Sequence, residues 1–166
     1  MAEPIFQLSD AHQAKLLRTK MKPYDFSKYS EAETRALVNR MKKAMHDAQG
    51  IGLSANQIGL DFQVFVGQVS NAQGKPKFYA LFNPKIVWKS DEESGFEEGC
   101  LSIPGKYGSV VRPEKVVVEA LDRQGKPVKI KAWGLLARMF QHELDHLAGV
   151  VFTDKAKTTH ESDQGQ

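Results

Sequence analysis

The chain has 166 residues, 41% hydrophobic and 26% charged, the balance of one packed globular domain rather than of a disordered or fibrous chain. A net charge of +3 falls short of the clustered basic stripe that specific nucleic-acid binding needs, so no nucleic-acid partner is expected. No apolar run reaches the roughly eighteen residues of a membrane span, and residues 1–10 lack a basic leader and an apolar signal stretch; the expectation is a cytoplasmic protein with no membrane partner.

In chain order, the first clear element is a helix from Ser30. Ser30 and Glu33 form a capping-box pair, and Leu37, Met41, Ala44 and Ala48 recur at helical spacing. Gly50 is its natural stop. The stretch from Gly50 to Gly59 carries glycines at 50, 52 and 59 among small and polar residues, which suits close backbone approach in a functional loop. Short β-like runs follow at 62–69, 77–82, 85–88, 115–121 and 128–131, with turn signals at 71–74 and 122–125. Their spacing predicts antiparallel strands.

A last helix is predicted from about 132 to 147, with Leu135, Met139, His142 and His146 along one stripe and Gly149 closing it. The fold class is therefore α+β, with antiparallel β-sheets packed around this central helix. Residues 1–154 read as a single catalytic domain. Residues 155–166 are polar and aperiodic and read as a disordered C-terminal tail.

The chemistry concentrates at 141–146. His142 and His146 lie four residues apart, so one helix face presents both imidazoles to a metal ion. Glu143 sits between them in sequence, within reach of a water on that ion without being a ligand. A catalytic site needs a third protein ligand and an open position, whereas a structural zinc site closes with four. Downstream of His146 the candidates are poor: the position where an extended zincin places a third histidine is Phe152. Upstream, Cys100 is the only cysteine, so it can form no internal disulfide, and it lies at the edge of a predicted strand where a thiolate completes a Cys-His-His set. The metal site alone leaves open a zinc peptidase using this helix and a metal-stabilised binding module without turnover.

Three segments then stand in order: Gly50-x-Gly52-x-x-Ala55-x-Gln57, Glu98-Gly99-Cys100-Leu101-Ser102, and Gln141-His142-Glu143-x-Asp145-His146. In order and spacing they resemble the signature motifs of the peptide deformylase family, over roughly residues 15–154. The resemblance implies hydrolysis of the N-formyl group from the N-terminal methionine of newly made polypeptides, with release of formate. It implies one divalent metal on Cys100, His142 and His146, a metal-bound water or hydroxide as nucleophile, and Glu143 as general acid and base. Gln57 and the backbone N–H of Leu101 would stabilise the oxyanion. Gly50, Ile51, Gly52, Gly99, Leu135 and Met139 would bind substrate, the extended peptide pairing near Ile51 and the methionine side chain entering an apolar pocket.

The same resemblance implies Fe(2+) in cells, with Zn(2+), Ni(2+) or Co(2+) acceptable in purified protein. Formylated nascent peptides, and transiently the ribosome, are the implied partners of a monomer, in a bacterial-type cytoplasm or of organellar or viral origin. The chain departs from the family pattern in two places. Ser54 stands where alanine is usual, and the opening segment matches only faintly, at Leu17-Arg18 and Lys22-Pro23. The family pattern also suggests that Asp145 pairs with Arg112, and Gln141 is a candidate buttress for the Cys100 loop.

Overall fold

The computed structural model describes residues 2–162. Among these residues, three α-helices, α1 (Ala11–Leu17), α2 (Glu31–Asp47) and α3 (Gly134–Leu147), accompany eight strands. The strands are β1 (Gly52–Ser54), β2 (Val64–Ser70), β3 (Pro76–Lys89), β4 (Glu93–Cys100), β5 (Ile103–Pro113), β6 (Lys115–Leu121), β7 (Pro127–Trp133) and β8 (Thr159–Glu161). One sheet runs β1-β2-β3-β6-β7 and the other β4-β5-β8, every pairing antiparallel. This is the expected α+β architecture.

β2 shows why the larger sheet is central. Strand side chains alternate between faces. Phe65 joins Leu81, Val116, Val118, Met139 and Phe140 in a cluster under α3. Val64 and Val66 join Leu53, Phe82 and the α2 residues Val38, Met41 and Met45 in a second cluster. The run Val64-Phe65-Val66 is wholly buried because helices cover both faces of its strand.

α2 begins as its sequence predicts. The Glu33 amide donates to Ser30 Oγ at 3.2 Å, and the Ser30 amide donates to Glu33 Oε2 at 2.7 Å. Its buried face holds Met41 and Ala44 of the expected stripe and widens to Thr34, Val38 and Met45, while Leu37 and Ala48 are only half-buried. The left-handed residue after the helix is Gln49 (φ 57), not Gly50. At the end of α3, Gly149 does take the left-handed conformation (φ 78); a Cβ there would lie 2.5 Å from the Arg18 carbonyl oxygen. α3 itself starts at Gly134 rather than Ala132, because Ala132 and Trp133 are still paired with Val116 and Lys115 at the end of β7.

The runs at 77–82 and 85–88 are one strand, β3, with a register irregularity between Phe82 and Lys85. Asn83 takes φ 49 there, and its side chain accepts from the Tyr24 amide and donates to the Tyr24 carbonyl, at 2.7 and 2.9 Å. Such a break reads as a turn in sequence. The tail reading is corrected more sharply. Residues 159–161 form β8, pairing with Lys106–Gly108 of β5, and the His160 ring stacks on Tyr107 with centroids 6.3 Å apart. The last part of the expected disordered tail, 163–166, lies outside the described residues.

Candidate active site

α3 brings His142 and His146 together as their spacing requires: their Nε2 atoms are 3.2 Å apart. Cys100 ends β4, where the ladder slips from Gly99↔Tyr107 to Cys100↔Ile103. That tight reversal aims Sγ at the helix, 3.2 Å from His146 Nε2. One donor atom from each of the three residues lies within 4.8 Å of the others. Metal–sulfur and metal–nitrogen bonds of about 2.3 and 2.0–2.1 Å give tetrahedral edges of about 3.3–3.6 Å, so a thiolate and two imidazoles at these separations fit a divalent ion.

Glu98 orients this set. Its buried carboxylate accepts from Arg112 Nε (2.6 Å) and Nη2 (2.8 Å), from Arg138 Nη1 (2.6 Å), and from His142 Nδ1 (2.9 Å). Holding the Nδ1 proton leaves His142 Nε2 free to ligate. Burial acts to raise the Glu98 carboxyl, but the hydrogen bonds from Arg112 and His142 hold it well below the usual range. Burial likewise opposes charge on His142; contact with Cys100 and Glu98 and the charge of Glu143 push its pKa up to about 10. His146 is driven well below its ordinary value by burial and by the charge of its neighbour His142.

The Asp145–Arg112 pairing is present, Arg112 Nη1 donating to Asp145 Oδ2 at 2.8 Å, and Lys155 Nζ meets the other oxygen at 2.9 Å. Gln141 does not buttress the Cys100 loop. Its amide donates at 3.0 Å to the carbonyls of Pro113 and Ala137, tying α3 to the end of β5.

Gln57 lies in a short 3-10 turn, Ala55–Ile58, directly after β1. The Ser54 amide donates to its Oε1 at 3.0 Å, which turns its Nε2 toward Ser102 Oγ (3.1 Å) and Cys100 Sγ (3.7 Å). Its donor end thus faces the thiol. Glu143 is buried, and desolvation raises its pKa, opposed by the His142 charge and a hydrogen bond from Ser54. A cavity of about 510 Å³ opens over this cluster. It is lined by Gly50, Ile51, Gly52, Gln57, Gly99, Cys100, Leu101, Leu135, Met139, His142 and Glu143. Of the three expected metal ligands, His146 alone sits behind the wall, 1% exposed.

Within the cavity Ile51 and Leu135 are exposed, at 47% and 59%, whereas Met139 is buried against Gly67, where a Cβ would meet its Cε at 2.4 Å. Gly52 makes the same kind of room for Glu143, since a Cβ would lie 2.4 Å from Oε1. Sequence reasoning missed Glu98, Arg138 and Gly67 as parts of the site. Glu98 carried a usable signal, an acid two residues from a candidate ligand in an extended run and so on the same strand face. Arg138 and Gly67 carried none, because their partners are remote in sequence.

A profile of the family described as polypeptide deformylase matches residues 3–162. A peptide deformylase of Methylocella silvestris is 50% identical over 75% of this chain, and the match spans 65% of that protein's length. One from Halothermothrix orenii is 43% identical over 84% of this chain and 86% of its own. The crystal structure of a peptide deformylase from Legionella pneumophila superposes with a TM-score of 0.81 at 42% identity, covering 95% of this chain and 87% of that one. With the motifs, the fold and the Cys-His-His cluster in agreement, this chain belongs to the polypeptide deformylase family.

Proposed function

We propose that this chain hydrolyses the formyl amide at the N-terminal methionine of new polypeptides, as one catalytic unit built around α3. One observation carries the reading: Cys100, His142 and His146 converge with a side open to a cavity that Glu143 and Gln57 also line. A fourth protein ligand would have closed the site. An ion held by these three residues would supply Lewis acidity toward the formyl oxygen and acidify a water molecule.

The chain's own groups account for the remaining steps. Glu143, the buried carboxylate beside the cluster, takes the proton shed by the attacking water and delivers it to the amine as the C–N bond breaks. Water and formyl peptide thus become formate and a free N-terminal amine. Gln57 Nε2 and the Leu101 amide stabilise negative charge on the formyl oxygen, each worth about 2–4 kcal/mol. Gly50, Ile51, Gly52 and Gly99 hold extended peptide, while Leu135 and Met139 give the methionine side chain an apolar wall. Ferrous iron is the assigned occupant in cells, with zinc, nickel or cobalt acceptable to the same donors. The substrates are formylated nascent chains, met in transient contact with the ribosome in a bacterial-type cytoplasm, and the enzyme works as a monomer.

The peptidase alternative needs a ligand downstream of His146, and Asp154 is instead paired with Arg18 and with the Val151 amide. The deciding experiment is formate release from formyl-Met-Ala-Ser by anaerobically prepared, iron-loaded protein, with Glu143→Ala beside it. Formate from the wild type alone, without internal cleavage, is the expected result. Internal cleavage, or no reaction from folded metal-bound protein, would overturn the reading.

A further inference from the structure

β1 is only three residues long, and strand alternation places Gly52 and Ser54 on one face and Leu53 on the other. Leu53 enters the cluster under α2. Gly52 and Ser54 both meet Glu143, one on each carboxylate oxygen. Gly52 leaves room for Oε1, and the Ser54 hydroxyl lies 2.7 Å from Oε2. Ser54 is fully buried, and the acceptors of its Oγ are both on Glu143, the carboxylate and the main-chain carbonyl at 3.2 Å. Among the described residues Oε1 accepts no hydrogen bond, and it sits beside Gly52 at the cavity wall.

A glutamate carboxylate rotates over a broad, nearly two-fold torsional profile, so either oxygen can turn toward a reacting group. We propose that Ser54 is a positioning residue that pins Oε2 of Glu143 and reserves Oε1 as the atom that carries the proton from water to the leaving amine. The assignment rests on the deformylase reading of Glu143 and is particular to this chain, because relatives with the usual alanine at this position must orient the glutamate by other contacts. A hydroxyl that merely satisfies a buried acceptor would support stability and leave turnover alone; a positioning hydroxyl must act on kcat.

The test compares wild type, Ser54→Ala and Ser54→Thr, each with its metal content measured, for kcat and KM on formyl-Met-Ala-Ser. Ser54→Ala should lose about tenfold in kcat with KM within about twofold, the signature of a lost transition-state alignment. Ser54→Thr, which keeps the hydroxyl, should recover most of that loss. A second readout needs no metal: in metal-free protein, the unfolding effects of Ser54→Ala and Glu143→Ala should be non-additive, because each removes the same contact. Should threonine fail to fold, the kcat against KM split decides between a positioning and a merely structural hydroxyl, and the coupling checks that the contact exists. An active wild type whose kcat survives Ser54→Ala, or additive unfolding effects, would overturn the assignment alone. An inactive wild type would sink the deformylase reading and the positioning role with it.

Discussion

Four donors from three side chains converge on the Glu98 carboxylate, and that makes its protonation state a stability question. Its folded pKa lies below the ordinary 4.5, so the stability it contributes is complete above that value and is lost as pH falls toward the folded value. Metal-free wild type should therefore lose unfolding free energy steadily below pH 4.5, while Glu98→Gln, less stable at neutral pH, should show a shallower acid slope over the same interval. Equal slopes in the two urea-denaturation series would contradict this. Gly52 offers a second residue-scale prediction. A methyl group 2.4 Å from Glu143 Oε1 must displace the carboxylate. Gly52→Ala should cost about tenfold or more in kcat, with a stability loss of only about 1–3 kcal/mol. Kinetics and thermal melting of one preparation check both, and unaltered turnover would show that the carboxylate can move freely.

At the scale of elements, α3 is fixed at its far end by Gly149, whose positive φ and approach to Arg18 leave no place for a side chain. Gly149→Ala should destabilise the protein by about 1–3 kcal/mol, read from the denaturation midpoint; an unchanged midpoint would show that the Arg18 segment yields. Elements whose evidence is local were legible in sequence. The Ser30–Glu33 box, the His142–His146 spacing and Gly149 each act within one or two helical turns. Elements defined by a partner strand were not. β5 mixes glycine, proline and charge and becomes a strand only through β4 and β8, and β8 is three exposed residues that nothing in their own composition marks. α1 was missed because seven residues leave little periodicity, although Asp10 caps it through the His12 and Gln13 amides. In the site, the ligands and Glu143 were legible because chemistry restricts which residue types can serve. The Glu98–Arg112–Arg138 support was hidden, since its members come from β4, β5 and α3.

For the whole molecule, the two apolar clusters pack on opposite faces of the larger sheet and include neither Cys100, His142 nor His146. The fold therefore has a core independent of the metal. Chelation should abolish formate release while far-UV circular dichroism stays native; cooperative unfolding on chelation would instead favour a metal-stabilised binding module. The central claim is that Cys100, His142 and His146 form an open three-ligand site at which the formyl amide is cleaved. It is tested most directly by titrating ferrous iron anaerobically into metal-free protein, reading bound iron and formate release in the same samples. Activity should rise linearly and saturate at about one ion per chain, in keeping with a single catalytic site, and Cys100→Ala should lose both tight binding and turnover. Activity that ignores iron occupancy, or that persists undiminished in Cys100→Ala, would contradict the account.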